Sequence, residues 1–112
     1  MAKRSPTDYE RRYRELLGEL GDLGYIRSGS IAVRDNYCGN PTCRCHGDPP
    51  QPHGPYYQWT AKVNGKTVNR RLTQEQAALY QTWINNDRHL RAIINELREI
   101  ATNATDLILD QV

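Results

Sequence analysis

Tyr37 to Tyr57 read YCGNPTCRCHGDPPQPHGPYY, and this stretch decides the fold of the chain. It contains all three cysteines, two of the three histidines and five of the six prolines. Three thiols and one imidazole form the ligand set of a closed Cys3His zinc site, in which the metal replaces a core that a short loop cannot build. We therefore expect one Zn²⁺ per chain, bound in this loop.

The order of the ligands along the loop has a physical explanation. The three thiols belong to Cys38, Cys43 and Cys45. The turn-forming residues 39–42 fold the chain back after the first thiol. We expect His53 as the fourth ligand rather than His46, because His46 adjoins Cys45 and neighbouring residues rarely reach one metal without strain. The stiff, proline-rich residues 48–52 bring His53 back at little cost in entropy.

Two other interpretations of the cysteines stay open, since Cys-x4-Cys-x-Cys-x7-His is not a common zinc-finger spacing. The first is that the cysteines are free and buried. The second is a disulfide, which the odd number of cysteines disfavours. The N-terminal sequence Met-Ala-Lys-Arg-Ser-Pro leads into a charged segment with no apolar h-region, so we expect a reducing, cytoplasmic compartment. In such a compartment clustered thiols more often bind metal.

Length and composition indicate one small polar domain. With 112 residues and a mean hydropathy of −0.82, we expect a single domain over residues 1–112. Phe is absent, so seven tyrosines and two tryptophans must supply much of the bulky packing. No apolar run approaches the roughly 20 residues that cross a bilayer, so we expect no membrane partner.

Local patterns predict the elements on either side of the loop. Ser5, Pro6 and Asp8 form a helix-capping sequence. The apolar seam that follows consists of Tyr9, Tyr13, Leu16, Leu20 and Leu23. Alternation predicts a strand ending at Tyr37, and Asn64-Gly65 predicts a type I′ hairpin between two more strands. Thr73 and Gln76 predict the start of a long helix.

Together these patterns predict an α+β fold. It consists of an N-terminal helix over 5–24, a three-stranded antiparallel sheet over 29–72 with an inserted zinc knuckle loop over 38–53, and a long C-terminal helix over 73–110. The period of two places Tyr57, Trp59, Ala61, Val63, Val68 and Leu72 on the apolar side of the sheet. Arg70 falls on that side too, so either it lies at the sheet edge or the register differs there.

The long helix carries an apolar stripe at a spacing of four and three, which is typical of a coiled coil. A helix of about 35 residues spans about 50 Å and should overhang a domain of this size. An overhanging stripe needs a partner, most simply a second copy of the chain. We therefore expect a homodimer through Leu90, Ile94, Leu97 and Ala101.

Charge and polarity suggest a binding surface on the sheet. The net charges of residues 1–37, 38–73 and 74–112 are +1, +4 and −3, so the middle third favours an anionic partner. A polar sheet face can enter the major groove of DNA, where Arg reads guanine and Asn or Gln reads adenine. The candidate nucleic-acid contacts are Arg34, Arg44, Tyr56, Gln58, Lys62, Asn69 and Arg71. Because Tyr56 is the sole exposed aromatic residue there, double-stranded DNA is favoured over a single strand.

Several runs of this sequence also resemble a known family. GSIAVR, CGNPTCRC, HGPYY, NGKT and WINNDRHLR, in this order over residues 29–93, resemble uncharacterised small bacterial and phage proteins. Those proteins share GS-I, C-G-x-P-x-C-x-C, H-G-P-Y-Y, G-K-T and W-I-x-N-x-R-x-L-R. The resemblance implies an association with mobile elements and transposase neighbourhoods, and it places the recurrent cysteines and histidine at Cys38, Cys43, Cys45 and His53. Relatives have YYYL where this chain has Tyr-Tyr-Gln-Trp at 56–59, and the proline insert at 48–52 also departs from their pattern.

Two function classes follow, and a third is disfavoured. The first is a small zinc-stabilised protein that binds nucleic acid, accessory to a mobile element or phage. The alternative is a zinc-stabilised interaction or adaptor protein that acts through its long helix on itself or on a larger enzyme such as a transposase. We expect no enzyme, because four protein ligands leave the metal no open position for water.

Overall fold

A computed structural model describes residues 5–112 of the chain and confirms the predicted α+β fold class. Its elements, in order, are α1 (Pro6–Gly21), β1 (Ser30–Asn36), a 3-10 turn (Arg44–His46), β2 (His53–Val63), β3 (Lys66–Leu72) and α2 (Gln74–Asp110). They divide into two compact units. The sheet unit is Arg27–Ile84, and the helical unit is residues 5–26 together with Asn85–Val112. The two units share α2.

The sheet unit is built on the predicted hairpin. Asn64 and Gly65 have φ values of 53° and 79°, the left-handed values that a type I′ turn requires at both central residues. The strands follow the order β1-β2-β3, and both pairings are antiparallel. β2 is therefore the central strand, and β1 and β3 are the edges.

One side of the sheet packs on the first turns of α2. The buried core cluster consists of Trp59, Ala61 and Leu72 from the strands and Ala77, Tyr80 and Ile84 from the helix. Tyr57 packs against this cluster from the side of the sheet that the alternation predicts. Val63 and Val68 share that side by register but remain 45% and 38% exposed, because they lie at the hairpin end of the strands, outside the cluster.

Arg70 lies on the apolar side, as the period of two indicates. It pairs with Trp59 across β2 and β3, so the predicted register is correct. β3 is an edge strand, which leaves the Arg70 guanidinium room to reach past the core. Its Nη1 donates a hydrogen bond of 2.7 Å to the hydroxyl of Tyr80. The charge is thus accommodated at the sheet edge, on the rim of the core.

The beginning of the sheet unit is fixed by close contacts around Trp59. The Trp59 Nε1 donates to the carbonyl oxygen of Ser28 at 2.9 Å. Gly29 has a φ of +109°, and a Cβ there would lie 2.5 Å from the Thr60 carbonyl oxygen and 2.6 Å from the Trp59 Nε1. The Arg27 Cζ lies 4.5 Å from the centroid of the Trp59 ring and 4.4 Å from that of Tyr80. Only glycine fits at position 29, and the Arg27 cation packs against two aromatic rings that also contact each other edge to face.

The helical unit begins with the predicted capping box. The Asp8 backbone N–H donates to the Ser5 hydroxyl, and the Ser5 backbone N–H donates to the Asp8 carboxylate, each at 3.2 Å. The predicted seam of α1 packs on α2 in a cluster whose buried members are Leu16, Ile93, Leu97 and Ile100. The seam residues Tyr9, Tyr13, Leu20 and Leu23 surround it. The predicted stripe on α2 omitted Ile93 and Ile100, which is corrected here.

Polar contacts join the two helices of this unit. The Arg12 Nε lies 2.6 Å from one Glu96 carboxylate oxygen, and its Nη2 lies 3.2 Å from the other. These hydrogen bonds raise the pKa of Arg12. The Asn86 side chain donates to the carbonyl oxygen of Tyr25 at 2.8 Å.

Over residues 5–112, the structure contains no helix with the length and apolar character needed to cross a membrane.

Candidate metal centre

The cysteine loop is folded by local hydrogen bonds. The Asn40 side-chain oxygen accepts from the Thr42 backbone N–H at 3.0 Å and from the Thr42 hydroxyl at 2.8 Å. The Cys43 backbone N–H donates to the Asn40 carbonyl oxygen at 3.1 Å, which closes a turn. The 3-10 turn that follows carries Cys45 at its centre. Residues 39–42 therefore fold back as their composition predicts.

His53 enters the site from the first position of β2. It pairs with Asn36, whereas the next regular pair is Arg34 with Tyr56, so β2 holds one extra residue in this interval. Gly54 supplies the irregular backbone, with a φ of +109°. A Cβ at Gly54 would lie 3.1 Å from the Tyr56 backbone nitrogen and 3.3 Å from the Arg34 carbonyl oxygen. This bulge turns the start of β2 so that His53 faces the cysteines.

Four ligand atoms converge as the sequence predicts. The three cysteine Sγ atoms and one ring nitrogen of His53 all lie within 4.8 Å of one another. The Cys38 and Cys45 Sγ atoms are 3.6 Å apart, and the Cys43 Sγ lies 3.2 Å from the His53 Nε2. Tetrahedral bonds of about 2.3 Å to sulfur and 2.0 Å to nitrogen separate such ligands by about 3.5 to 3.8 Å. The group fits a four-coordinate metal ion, and no disulfide joins the three cysteines.

His46 has a different role from His53. Its Nε2 forms a hydrogen bond with the carbonyl oxygen of Cys38, and His46 is not part of the converging group. Its ring lies 6.3 Å from that of Tyr37, at a tilt of 44°. His46 therefore supports the backbone of a ligand residue, and the geometry favours His53 as the fourth ligand.

The protein environment differs between two of the thiols. A hydrogen bond from the Cys45 backbone, with further hydrogen bonds from Cys38 and Cys45 side chains, lowers the pKa of Cys43 to about 6. Cys45 is fully buried, and this desolvation raises the pKa of its thiol. A buried thiolate is stable only when a cation lies beside it, which is what a bound metal ion supplies.

The predicted nucleic-acid contacts lie mostly on one side of the sheet. The register places Arg34 opposite Tyr56, and Gln58 opposite Arg71. We call this surface the polar face; its residues are Ser30, Ala32, Arg34, Tyr56, Gln58, Thr60, Lys62, Thr67, Asn69 and Arg71. Arg44 lies apart from it, on the exposed 3-10 turn. The polar face thus contains three cations and no carboxylate.

Two side-chain contacts order the polar face. The Thr60 hydroxyl donates to the Asn69 side-chain oxygen at 2.8 Å. The Arg71 Cζ lies 4.0 Å from the centroid of the Tyr56 ring. The strand pattern did not predict this stacking, although the hairpin register places Arg71 diagonal to Tyr56, within reach of a long side chain.

The four residues predicted for a dimer do not share one environment. Leu97 is buried in the core cluster of the helical unit, so its packing is satisfied within its own chain. Leu90, Ile94 and Ala101 are half-buried. A homodimer remains a prediction, and Leu97 is corrected to a core residue.

Comparison with known proteins identifies a family. Residues 6–81 match the family described as Domain of unknown function (DUF6788). Curated proteins and solved structures gave no significant match. The matched range contains α1, the cysteine loop with all four converging ligands, the whole sheet and the first turns of α2. Since this range covers more than half of the 112 residues, the chain belongs to the DUF6788 family of domains of unknown function.

Proposed function

We propose that this protein is a zinc-stabilised module whose polar sheet face binds double-stranded DNA. The observation that carries the proposal is the polar face, on which three cations and two amide side chains stand together without a carboxylate. Exposed basic charge without acidic neighbours attracts a polyanion, and the amides add hydrogen-bonding capacity that a solvated surface does not need.

Zinc is the metal that the ligand chemistry favours. Three thiolates and an imidazole are soft to borderline ligands, which bind Zn²⁺ in tetrahedral geometry and disfavour Mg²⁺ or Ca²⁺. Four protein ligands complete the coordination of the ion, which supports a structural role and not catalysis. Zinc at this site would tie Cys38, just after β1, to His53, at the start of β2. It would thereby hold two strands of the DNA-binding sheet together.

The shape of the surface supports duplex DNA over a single strand. A small antiparallel sheet can lie in the major groove, where Gln58 and Asn69 reach base edges and the cations Arg34 and Lys62 reach phosphates. Single-strand binding relies on aromatic rings with free faces. Because Arg71 covers one face of the Tyr56 ring, the polar face offers little surface on which bases could stack.

A titration with salt tests this function. We expect a random-sequence duplex to bind at low salt, with log K falling linearly as log[salt] rises. Lys62→Ala should lower that slope by about one unit. Lys66→Ala is the matched control, because Lys66 lies on the same hairpin but on the opposite side of the sheet. Equal effects of the two variants, or no duplex binding at low salt, would contradict the proposal.

The identity and number of bound metal ions are measured separately from DNA binding. Native mass spectrometry of the purified protein should show one zinc ion per chain. A chelator should remove the ion and loosen the β1–β2 pairing, since binding energy at such a site is folding energy. A metal other than zinc, or none, would overturn this part of the proposal.

The biological setting follows from the sequence resemblance. The motif pattern over residues 29–93 supports a bacterial or phage protein that is accessory to a mobile element. In that setting a DNA-binding module would bring a larger enzyme, such as a transposase, to its site. Co-purification with a transposase encoded nearby would test this association.

A second candidate function is an adaptor that dimerises through the end of α2. A groove of about 400 Å³ in the helical unit is lined mainly by Tyr9, Tyr13, Ile100, Ala101, Ala104 and Ile108. Ile108, which forms part of the groove wall, is 57% exposed, and the next residue, Leu109, is 70% exposed. A groove with small alanine side chains next to a protruding isoleucine provides both halves of a self-complementary contact, so the occupant is a second copy of the chain.

Analytical sedimentation tests whether the protein dimerises through the end of α2. We expect the wild type to sediment as a dimer and Ile108→Asp as a folded monomer. Leu97→Asp is not a suitable test, because it places a charge in the core of its own chain and should unfold the helical unit. A monomeric wild type would remove the dimer and leave the DNA-binding proposal intact.

A further inference from the structure

The contact between Arg71 and Tyr56 gives the polar face a more specific feature than its charge. Arg71 belongs to the edge strand β3, but its guanidinium lies over a ring on the central strand β2, 4.0 Å from the ring centroid. The long side chain therefore points inward across the sheet. It ends over the central strand, at the end of the face away from the hairpin turn, with Arg34 opposite the same tyrosine on β1.

Stacking fixes a planar cation without using its hydrogen-bond donors. The ring quadrupole attracts the guanidinium, whose N–H groups lie in its plane and point away from the ring. No carboxylate pairs with Arg71 in residues 5–112. Arg71 is thus an oriented fork of donors, already held in place, so little rotamer entropy remains to be lost when it binds.

We propose, on the basis of the DNA-binding function above, that Arg71 stacked on Tyr56 reads a guanine in the major groove. The O6 and N7 atoms of guanine accept two parallel hydrogen bonds, and a planar guanidinium matches them. A phosphate would also match the fork, but phosphates flank the groove and are reached from the rim of the face. Arg71 instead leans away from the sheet edge and over the central strand, and its position in the register is directly opposite Gln58, whose amide suits an adjacent adenine.

This assignment separates two kinds of cation on the polar face. Lys62, near the hairpin end, is a flexible point charge that holds phosphate in any sequence. Arg71 is a positioned fork whose contribution depends on the base. Loss of Lys62 should therefore weaken binding to all duplexes alike, whereas loss of the Arg71 fork should erase a preference.

Selection from a random duplex library tests the proposal. The wild type should enrich a binding site with a guanine at one position. Replacing that base by 7-deazaguanine, which lacks the N7 acceptor, should weaken binding by about tenfold. Arg71→Lys keeps the charge but loses the fork, so it should bind random duplex nearly as well as the wild type and lose the preference.

Variants of the stacking partner provide a matched pair. Tyr56→Phe keeps the ring and should keep the guanine preference, whereas Tyr56→Leu removes the ring and should reduce the preference although Arg71 is still present. Circular dichroism and the metal content of each variant check that it is folded. A purely structural role of Tyr56 would change affinity for all duplexes equally and leave the preference unchanged, which would refute the assignment.

These experiments distinguish failure of the DNA-binding function from failure of the assignment of Arg71 to guanine. If no duplex binds at low salt, the DNA-binding function fails and the Arg71 assignment falls with it. If duplexes bind but the enriched site has no guanine, or Arg71→Lys keeps the same preference, the assignment fails and the DNA-binding function stands.

Discussion

Gly29→Ala tests whether the start of the sheet is packed as the structure describes. A Cβ at this position would lie 2.5 Å from the Thr60 carbonyl oxygen and 2.6 Å from the Trp59 Nε1. Both distances are shorter than the contacts that a Cβ makes with non-bonded atoms in proteins. The φ of +109° is also a conformation that alanine rarely adopts. The chain must therefore move, and the atoms that must give way belong to the central strand.

The size of the effect follows from two costs. A non-glycine residue at a positive φ costs about 1 to 2 kcal/mol. Moving the Trp59 ring breaks its 2.9 Å hydrogen bond to the Ser28 carbonyl oxygen, which contributes about 1 kcal/mol. We expect the free energy of unfolding to fall by about 2 to 3 kcal/mol.

Urea unfolding with zinc in excess measures this change, followed by tryptophan fluorescence and by circular dichroism. Gly18→Ala is the control, because Gly18 lies inside α1 with nothing within 4 Å of its added Cβ. That variant should gain about 0.5 to 1 kcal/mol from reduced chain entropy in the unfolded state. A loss below about 1 kcal/mol for Gly29→Ala, with unchanged tryptophan emission, would refute the close packing.

Three further experiments test other parts of the structure. His53→Ala should lose the metal in native mass spectrometry, whereas His46→Ala should keep one ion per chain; the reverse result would exchange their roles. Arg27→Ala should lower the free energy of unfolding, measured with urea, by about 2 kcal/mol, since it removes a cation packed against two rings; an unchanged unfolding midpoint would contradict that stabilisation. Arg34→Ala should reduce the salt slope of duplex binding by about one unit, whereas Arg98→Ala, which removes a charge from α2 far along the sequence, should leave it unchanged.

Local chemistry made much of the fold predictable. The capping box at Ser5 and the Asn64-Gly65 turn each depend on a few neighbouring residues, and both form as expected. Once the turn fixes the register, the period of two assigns the residues of β3, and those of β2 from Tyr56 onward, to a side of the sheet, and Arg70 follows it too. The bulge at the start of β2 interrupts this period. The converging ligands were predictable for a different reason: three thiols and an imidazole lie together in one short loop, and an odd number of cysteines disfavours disulfides.

Tertiary packing limited what the sequence could predict on α2. A long amphipathic helix offers more than one apolar stripe, and the stripe that is buried depends on where α1 lies. The spacing favoured Leu90 and Ile94, but α1 packs on Ile93 and Ile100. The stacking of Arg71 on Tyr56 was missed because a strand pattern gives the side of the sheet and not the direction in which a long side chain leans.

The long loop between β1 and β2, which ends at the bulge where His53 pairs with Asn36, affects the order in which the strands pair during folding. β2 and β3 meet through a tight turn, so their pairing closes a very short loop and should form within microseconds. β1 can pair with β2 only after the loop between them, residues 37–52, has closed. Closing this loop costs chain entropy before the contacts between the two strands form and offset that cost. A metal ion bound early by the thiols would shorten the effective loop, so the rate at which β1 docks should depend on zinc concentration while hairpin formation does not.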